Sequence, residues 1–87
     1  MATRCVREYE CPVSKNFTLQ ITTGAVFKEI IVKRFPILVY IVDPTVGTTT
    51  AHTYKVVDAE EPFNPANLTW LGTVDFRGNN WYVGEVV

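Results

Sequence analysis

Residues 68–87 alternate like two strands around a tight polar turn, and no other feature constrains the fold of this chain as strongly. Leu68, Trp70, Val74 and Phe76 share one parity, while Thr69, Thr73 and Asp75 share the other. Arg77-Gly78-Asn79-Asn80 then supplies residues that tolerate positive φ, and Trp81-Tyr82-Val83 resumes the apolar pattern. The pattern predicts a β-hairpin. Because side chains in a strand point alternately to opposite faces, shared parity places Leu68, Trp70, Val74 and Phe76 on one face.

The same grammar runs through the rest of the chain. A first strand is expected over residues 4–10, closed by Cys11-Pro12 because proline cannot donate to a ladder. Its two faces are both mixed in character, which suits an edge position or a subunit contact. In residues 16–22, Phe17, Leu19 and Ile21 alternate with polar partners and are expected in the core. A turn at Thr23-Gly24-Ala25 leads into residues 26–34, where Val26, Ile30 and Val32 alternate with Glu29 and Lys33. Phe27 and Ile31 break that alternation, so this strand is expected to be covered on both faces, one by the core and one by a neighbouring chain. Residues 37–42 are an unbroken apolar run rich in β-branched side chains, which predicts a central strand buried on both sides.

Asp43-Pro44-Thr45-Val46-Gly47 carries turn residues and is expected as a hairpin connection. Residues 48–57 resume as a strand with His52, Tyr54 and Val56 on one side and Thr53, Lys55 and Val57 on the other. Residues 58–67 hold acidic residues and prolines and are expected as an exposed loop, with a single helical turn at 65–67 capped by Asn64. Helical periodicity is absent elsewhere. The expectation is one all-β domain over residues 1–87, with about seven antiparallel strands in a meander forming a small sandwich or partly closed barrel.

A chain of 87 residues buries only about 60% of its unfolded surface. With 47% hydrophobic and 13% aromatic residues it has apolar surface to spare, so a homo-oligomer is expected. The net charge of −1, with its basic residues scattered, lacks the footprint of a DNA or RNA binder. No apolar stretch approaches the roughly 20 residues that cross a bilayer, and no apolar segment follows Arg4 and Arg7, so a cytoplasmic protein without a membrane partner is expected. Cys5 and Cys11 fall about 20 Å apart on a straight strand, out of disulfide reach. With His52 the sole histidine, neither a metal site nor a cofactor is expected.

Catalytic chemistry is scarce. Ser14 is the single serine and stands in a segment not expected to meet His52, and Glu60-Glu61 read as a solvated turn. No helix follows a glycine-rich loop to cradle phosphate. The aromatic and basic residues are the better candidates for function, because rings stack bases while guanidinium and ammonium groups neutralise phosphates. Arg7, Lys55 and Arg77 are the expected phosphate contacts, and Tyr9, Trp81 and Tyr82 the expected stacking residues.

Tyr9 with Pro12, TTGAVFKEI at 22–30, the apolar strand ending in Val42-Asp43-Pro44, and LTWLGTVDFRGNNWYVGEVV at the C-terminus together resemble a family of short proteins of unknown function encoded by tailed bacteriophages. The chain departs from that family at 57–61 and at 84–87. The resemblance implies a small accessory protein acting in the host cytoplasm against host immunity. In its sharpest form this is a non-enzymatic sponge that sequesters a nucleotide second messenger at an oligomer interface. The alternatives it implies are a protein inhibitor that binds a host defence complex directly, or a minor virion component.

Overall fold

The computed structural model describes residues 3–12, 16–58, 60, 62–64 and 67–87, and within them the chain is all β. The strands are β1 (Cys5–Glu10), β2 (Asn16–Thr22), β3 (Val26–Val32), β4 (Pro36–Val42), β5 (Thr49–Asp58), β6 (Leu68–Phe76) and β7 (Asn79–Val86). They form two antiparallel sheets, sheet A in the order β1-β4-β3 and sheet B in the order β2-β5-β7-β6. The sheets face one another as a small open sandwich and do not close into a barrel.

The chain does not run as one meander. Only β3–β4 and β6–β7 are neighbours both along the chain and within a sheet. The segment after β4, expected as a hairpin connection, crosses from sheet A to sheet B. Its turn chemistry is as read: Asp43 accepts from the Thr45 backbone N–H at 3.0 Å, and the Val46 N–H donates to the Asp43 carbonyl at 3.1 Å. Turn residues say where a chain bends; they do not say which sheet receives the next strand. The helical turn expected at 65–67 falls mostly outside the described residues.

β4 is the central strand of sheet A, as its apolar run predicts. Leu38, Tyr40 and Val42 point into the sandwich and meet Ile21, Tyr54, Val56 and Val83 from sheet B, while Ile37 and Val39 are almost as buried on the other side. Each such aliphatic side chain contributes roughly 1.5–3 kcal/mol on burial. Phe17 and Leu19 are half-buried against this core, and Ile21 is fully enclosed. A polar link passes through the middle: the Tyr40 and Tyr54 hydroxyls lie 2.6 Å apart and join the two sheets. Cys5 and Cys11 are free, and burial pushes the Cys11 thiol up to about 11.

Two β-bulges explain where the alternation misleads. In β3 the register with β4 shifts between Phe27 and Glu29, so Lys28 is the extra residue. Phe27 and Ile30, three apart, therefore both pack on the core, and the broken pattern needs no neighbouring chain. In β6 the register with β7 shifts between Trp70 and Gly72. Leu71 and Val74 turn inward, while Trp70 turns outward beside Leu68, away from Val74 and Phe76, with which the sequence groups it. The hairpin turn itself is two residues, Arg77 at φ 54° and Gly78 at φ 78°, the signature of a type I′ turn, and Asn79-Asn80 already belong to β7.

Candidate functional site

The six residues expected to bind ligand lie in three places. Arg7 and Tyr9 sit together on the inward face of β1, opposite Tyr40 and Leu38. Arg7 Nη1 donates to Thr22 Oγ1 at 2.7 Å, and the Thr22 backbone N–H donates to the Tyr9 hydroxyl at 3.3 Å. Burial pushes the Tyr9 phenol up, but the Thr22 and Arg7 hydrogen bonds outweigh it and hold the group below its ordinary value. Thr22 is itself buried. This cluster ties β1 of one sheet to β2 of the other.

Nearby, His52 is half-buried and bonded through Nδ1 to Glu85 Oε2 at 2.8 Å. Ser14 lies outside the described residues. No buried side-chain nitrogen or oxygen among the described residues lacks a hydrogen-bond partner. The interior polar groups are thus engaged with one another, and that arrangement holds a fold together.

Arg77 and Trp81 occupy the hairpin end of the sandwich. Trp81 is on the inward face of β7, packed against the core, and its Nε1 donates to the Phe76 carbonyl at 3.4 Å. The Arg77 guanidinium lies over the Phe76 ring at 5.0 Å. Beside it is a cleft of about 380 Å³ lined by Glu10, Cys11, Pro12, Phe35, Phe76 and Arg77.

Lys55 and Tyr82 share the outer face of sheet B with two aromatics that sequence reasoning did not select. Tyr82 follows Trp81 on β7 and so points to the opposite face, opposite Val57 on β5 and Thr73 on β6. In the adjacent row Lys55, Gly84 and Trp70 stand side by side on β5, β7 and β6. Gly84 presents no side chain, so the Trp70 indole packs close against it. A β-carbon on Gly84 would stand 3.3 Å from Trp70 Cε3.

Tyr82 meets Trp70 edge to face at 6.2 Å, and Phe63, from the loop after β5, meets Trp70 edge to face at 5.2 Å. Phe63, Trp70, Gly72, Thr73 and Tyr82 line a groove of about 400 Å³. The three rings remain about 41–42% exposed, a large apolar surface for one sheet face.

Sequence reasoning counts Trp70 among the aromatic candidates without choosing it for stacking, and strict alternation groups it with Val74 and Phe76, whereas the bulge turns it to the outer face. The signal that could have placed it is Trp70-Leu71-Gly72, two adjacent large apolar residues followed by a strand glycine, which marks a bulge. Phe63 had no such signal, since it stands in an irregular loop. Among the described residues no cluster of three His, Cys, Asp or Glu side chains could hold a metal, and Lys55 is in no ion pair. The groove therefore offers aromatic faces, with Lys55 on the same sheet face but outside the groove's lining.

Compared with known proteins, the chain matches no family model, no curated protein and no solved structure.

Proposed function

We propose that this protein is a non-enzymatic binding domain that takes a nucleotide on the outer face of sheet B, with the base against Trp70 and Tyr82 and the phosphate toward Lys55. The observation that supports this reading is the row Lys55, Gly84, Trp70: an indole packed against a glycine, with a cation outside any described ion pair on the next strand but one. Aromatic stacking contributes roughly 1–3 kcal/mol per base, and a half-buried surface lysine such as Lys55 adds a salt-sensitive increment of about 1 kcal/mol or less. Together these amount to about 4 kcal/mol at most, which corresponds to a Kd of about 1 mM. In the setting implied by the phage-like segments, such a protein sequesters a nucleotide second messenger of host defence.

The test is calorimetric titration with purine mononucleotides and cyclic dinucleotides at low and high salt. Salt-sensitive binding that is lost in Trp70→Ala supports the proposal. Absence of binding by every nucleotide at millimolar concentration overturns it. In that case the strongly apolar lining of the groove favours a direct protein contact, with Trp70 and Tyr82 as the anchors such interfaces use.

A further inference from the structure

Among the described residues each sheet leaves two strand edges open: β1 and β3 in sheet A, β2 and β6 in sheet B. Open edges invite pairing with another chain, and proteins block them with charges, bulges and prolines. Three of these edges carry such devices. β3 has the bulge at Lys28 with Glu29 beside it, and β6 has the bulge at Leu71. β1 carries Glu8 and Glu10 and runs into Pro12. β2 carries none: Asn16–Thr22 has no charge, proline or glycine, and its register with β5 runs unbroken from Asn16↔Lys55 to Thr22↔Thr49.

The hydrogen-bond phase shows which groups of β2 face outward. The Thr23 N–H donates to the Thr48 carbonyl, continuing the β2–β5 ladder, so the odd residues Phe17, Leu19 and Ile21 bond to β5 and the even ones point away. Thr22 is already satisfied, since its N–H donates to the Tyr9 hydroxyl and its carbonyl accepts from the Ala25 N–H. Thr18 and Gln20 therefore present their N–H and C=O groups at the open edge.

We propose that β2 pairs antiparallel with β2 of a second copy about a two-fold axis at Leu19. Thr18 then faces Gln20 of the partner subunit, giving four backbone hydrogen bonds, and two copies of sheet B join into one continuous sheet. The sequence is self-matching in this register: Phe17 falls against Ile21 of the partner subunit and Leu19 against Leu19 of the partner subunit. Thr18 and Gln20 match on the other face, and no charge meets its like. On β1 the outward groups belong to Val6, Glu8 and Glu10, because the Cys11 N–H bonds the Pro36 carbonyl. A two-fold centred there on Glu8 sets that carboxylate against its own copy. A neutral, self-complementary edge flanked by the half-buried Phe17 and Leu19 fits a second copy of this chain better than a charged peptide. β2 is at the opposite edge of sheet B from β6, so this inference does not depend on the groove.

Sedimentation of the purified protein over a wide concentration range is expected to show a dimer. Gln20→Pro removes an N–H that no group among the described residues uses, at an edge position that tolerates proline, and is expected to give a monomer with unchanged circular dichroism. The register has its own test. In a non-hydrogen-bonded pair the two Leu19 Cα atoms stand about 4.5 Å apart, within disulfide reach, so Leu19→Cys is expected to cross-link on oxidation. The Thr18 pair lies diagonally at roughly 7–8 Å, so Thr18→Cys is expected to stay uncrosslinked beyond the wild-type background. A monomeric wild type, a dimer that persists in Gln20→Pro, or equal cross-linking of the two cysteine variants overturns the proposal.

Discussion

The indole of Trp70 lies on the backbone of Gly84, and a β-carbon there would approach Trp70 Cε3 to 3.3 Å. This pair sets the shape of the groove, because the bulge turns Trp70 outward and the missing side chain lets its ring pack close to Gly84. Gly84 has no positive φ, so a larger residue acts through space alone. Gly84→Val is expected to lift the ring, shift Trp70 fluorescence and lower stability by about 1–3 kcal/mol, the usual range for overpacking. Gly84→Ala is expected to do the same more weakly. Denaturant unfolding with tryptophan emission reads both; a valine variant with unchanged emission and stability contradicts the placement of the ring.

The Tyr40–Tyr54 hydroxyl pair is the polar link between the sheets. Removing one hydroxyl leaves the other buried without its partner, which costs about 1–3 kcal/mol, whereas removing both can be nearly neutral. Tyr40→Phe and Tyr54→Phe are each expected to destabilise, and the double variant by less than their sum. A double-mutant cycle by chemical denaturation measures the coupling. Additive losses would mean the hydroxyls do not act as a pair.

Arg77 occupies the first turn position at φ 54°, where a residue other than glycine, asparagine or aspartate is strained. Arg77→Asn is expected to stabilise the hairpin by about 0.5–1 kcal/mol, less whatever the contact with the Phe76 ring contributes. Thermal unfolding decides the sign, and a lowered midpoint would show that the ring contact outweighs the strain.

Alkaline stability is governed in part by the buried thiol. The unfolded Cys11 loses its proton near the ordinary 9.0, and the folded one only at about 11. Between those values the unfolded chain holds fewer protons, so stability falls as pH rises from about 9 to 11, by at most about 3 kcal/mol. Tyr40 and Tyr54, both raised first by burial, extend the decline above pH 10, and the lowered Tyr9 opposes it. Cys11→Ala is expected to start less stable and to show a flatter profile from pH 9 to 11. An unchanged slope in denaturation against pH contradicts this role.

Strand existence was legible in the sequence because alternation and turn residues are local signals; the apolar run of β4 placed that strand in the centre of its sheet, and the mixed faces of β1 admitted the edge position it takes. Sheet membership was not legible. Asp43-Pro44 marks a bend equally well whether the next strand pairs beside β4 or crosses to the other sheet. The bulges at Lys28 and Leu71 each add one residue and invert the facing of the strand beyond them, so strict parity misplaced Trp70 and misread Phe27. Of the six candidate ligand residues, Lys55 and Tyr82 fall on the groove face. Arg7, Tyr9 and Trp81 are the sort of residue a ligand site uses, and here they hold strands together.

The two tryptophans allow the most direct test, since each gives one indole N–H signal in a nitrogen–proton correlation spectrum. Trp70 is on the groove face, and Trp81 is packed inward with its N–H on the Phe76 carbonyl. On titration with a purine nucleotide, the Trp70 signal is expected to move in a saturable way while the Trp81 signal stays in place. A spectrum in which neither indole moves at millimolar nucleotide, or in which Trp81 alone responds, contradicts the assignment of the groove as the binding site.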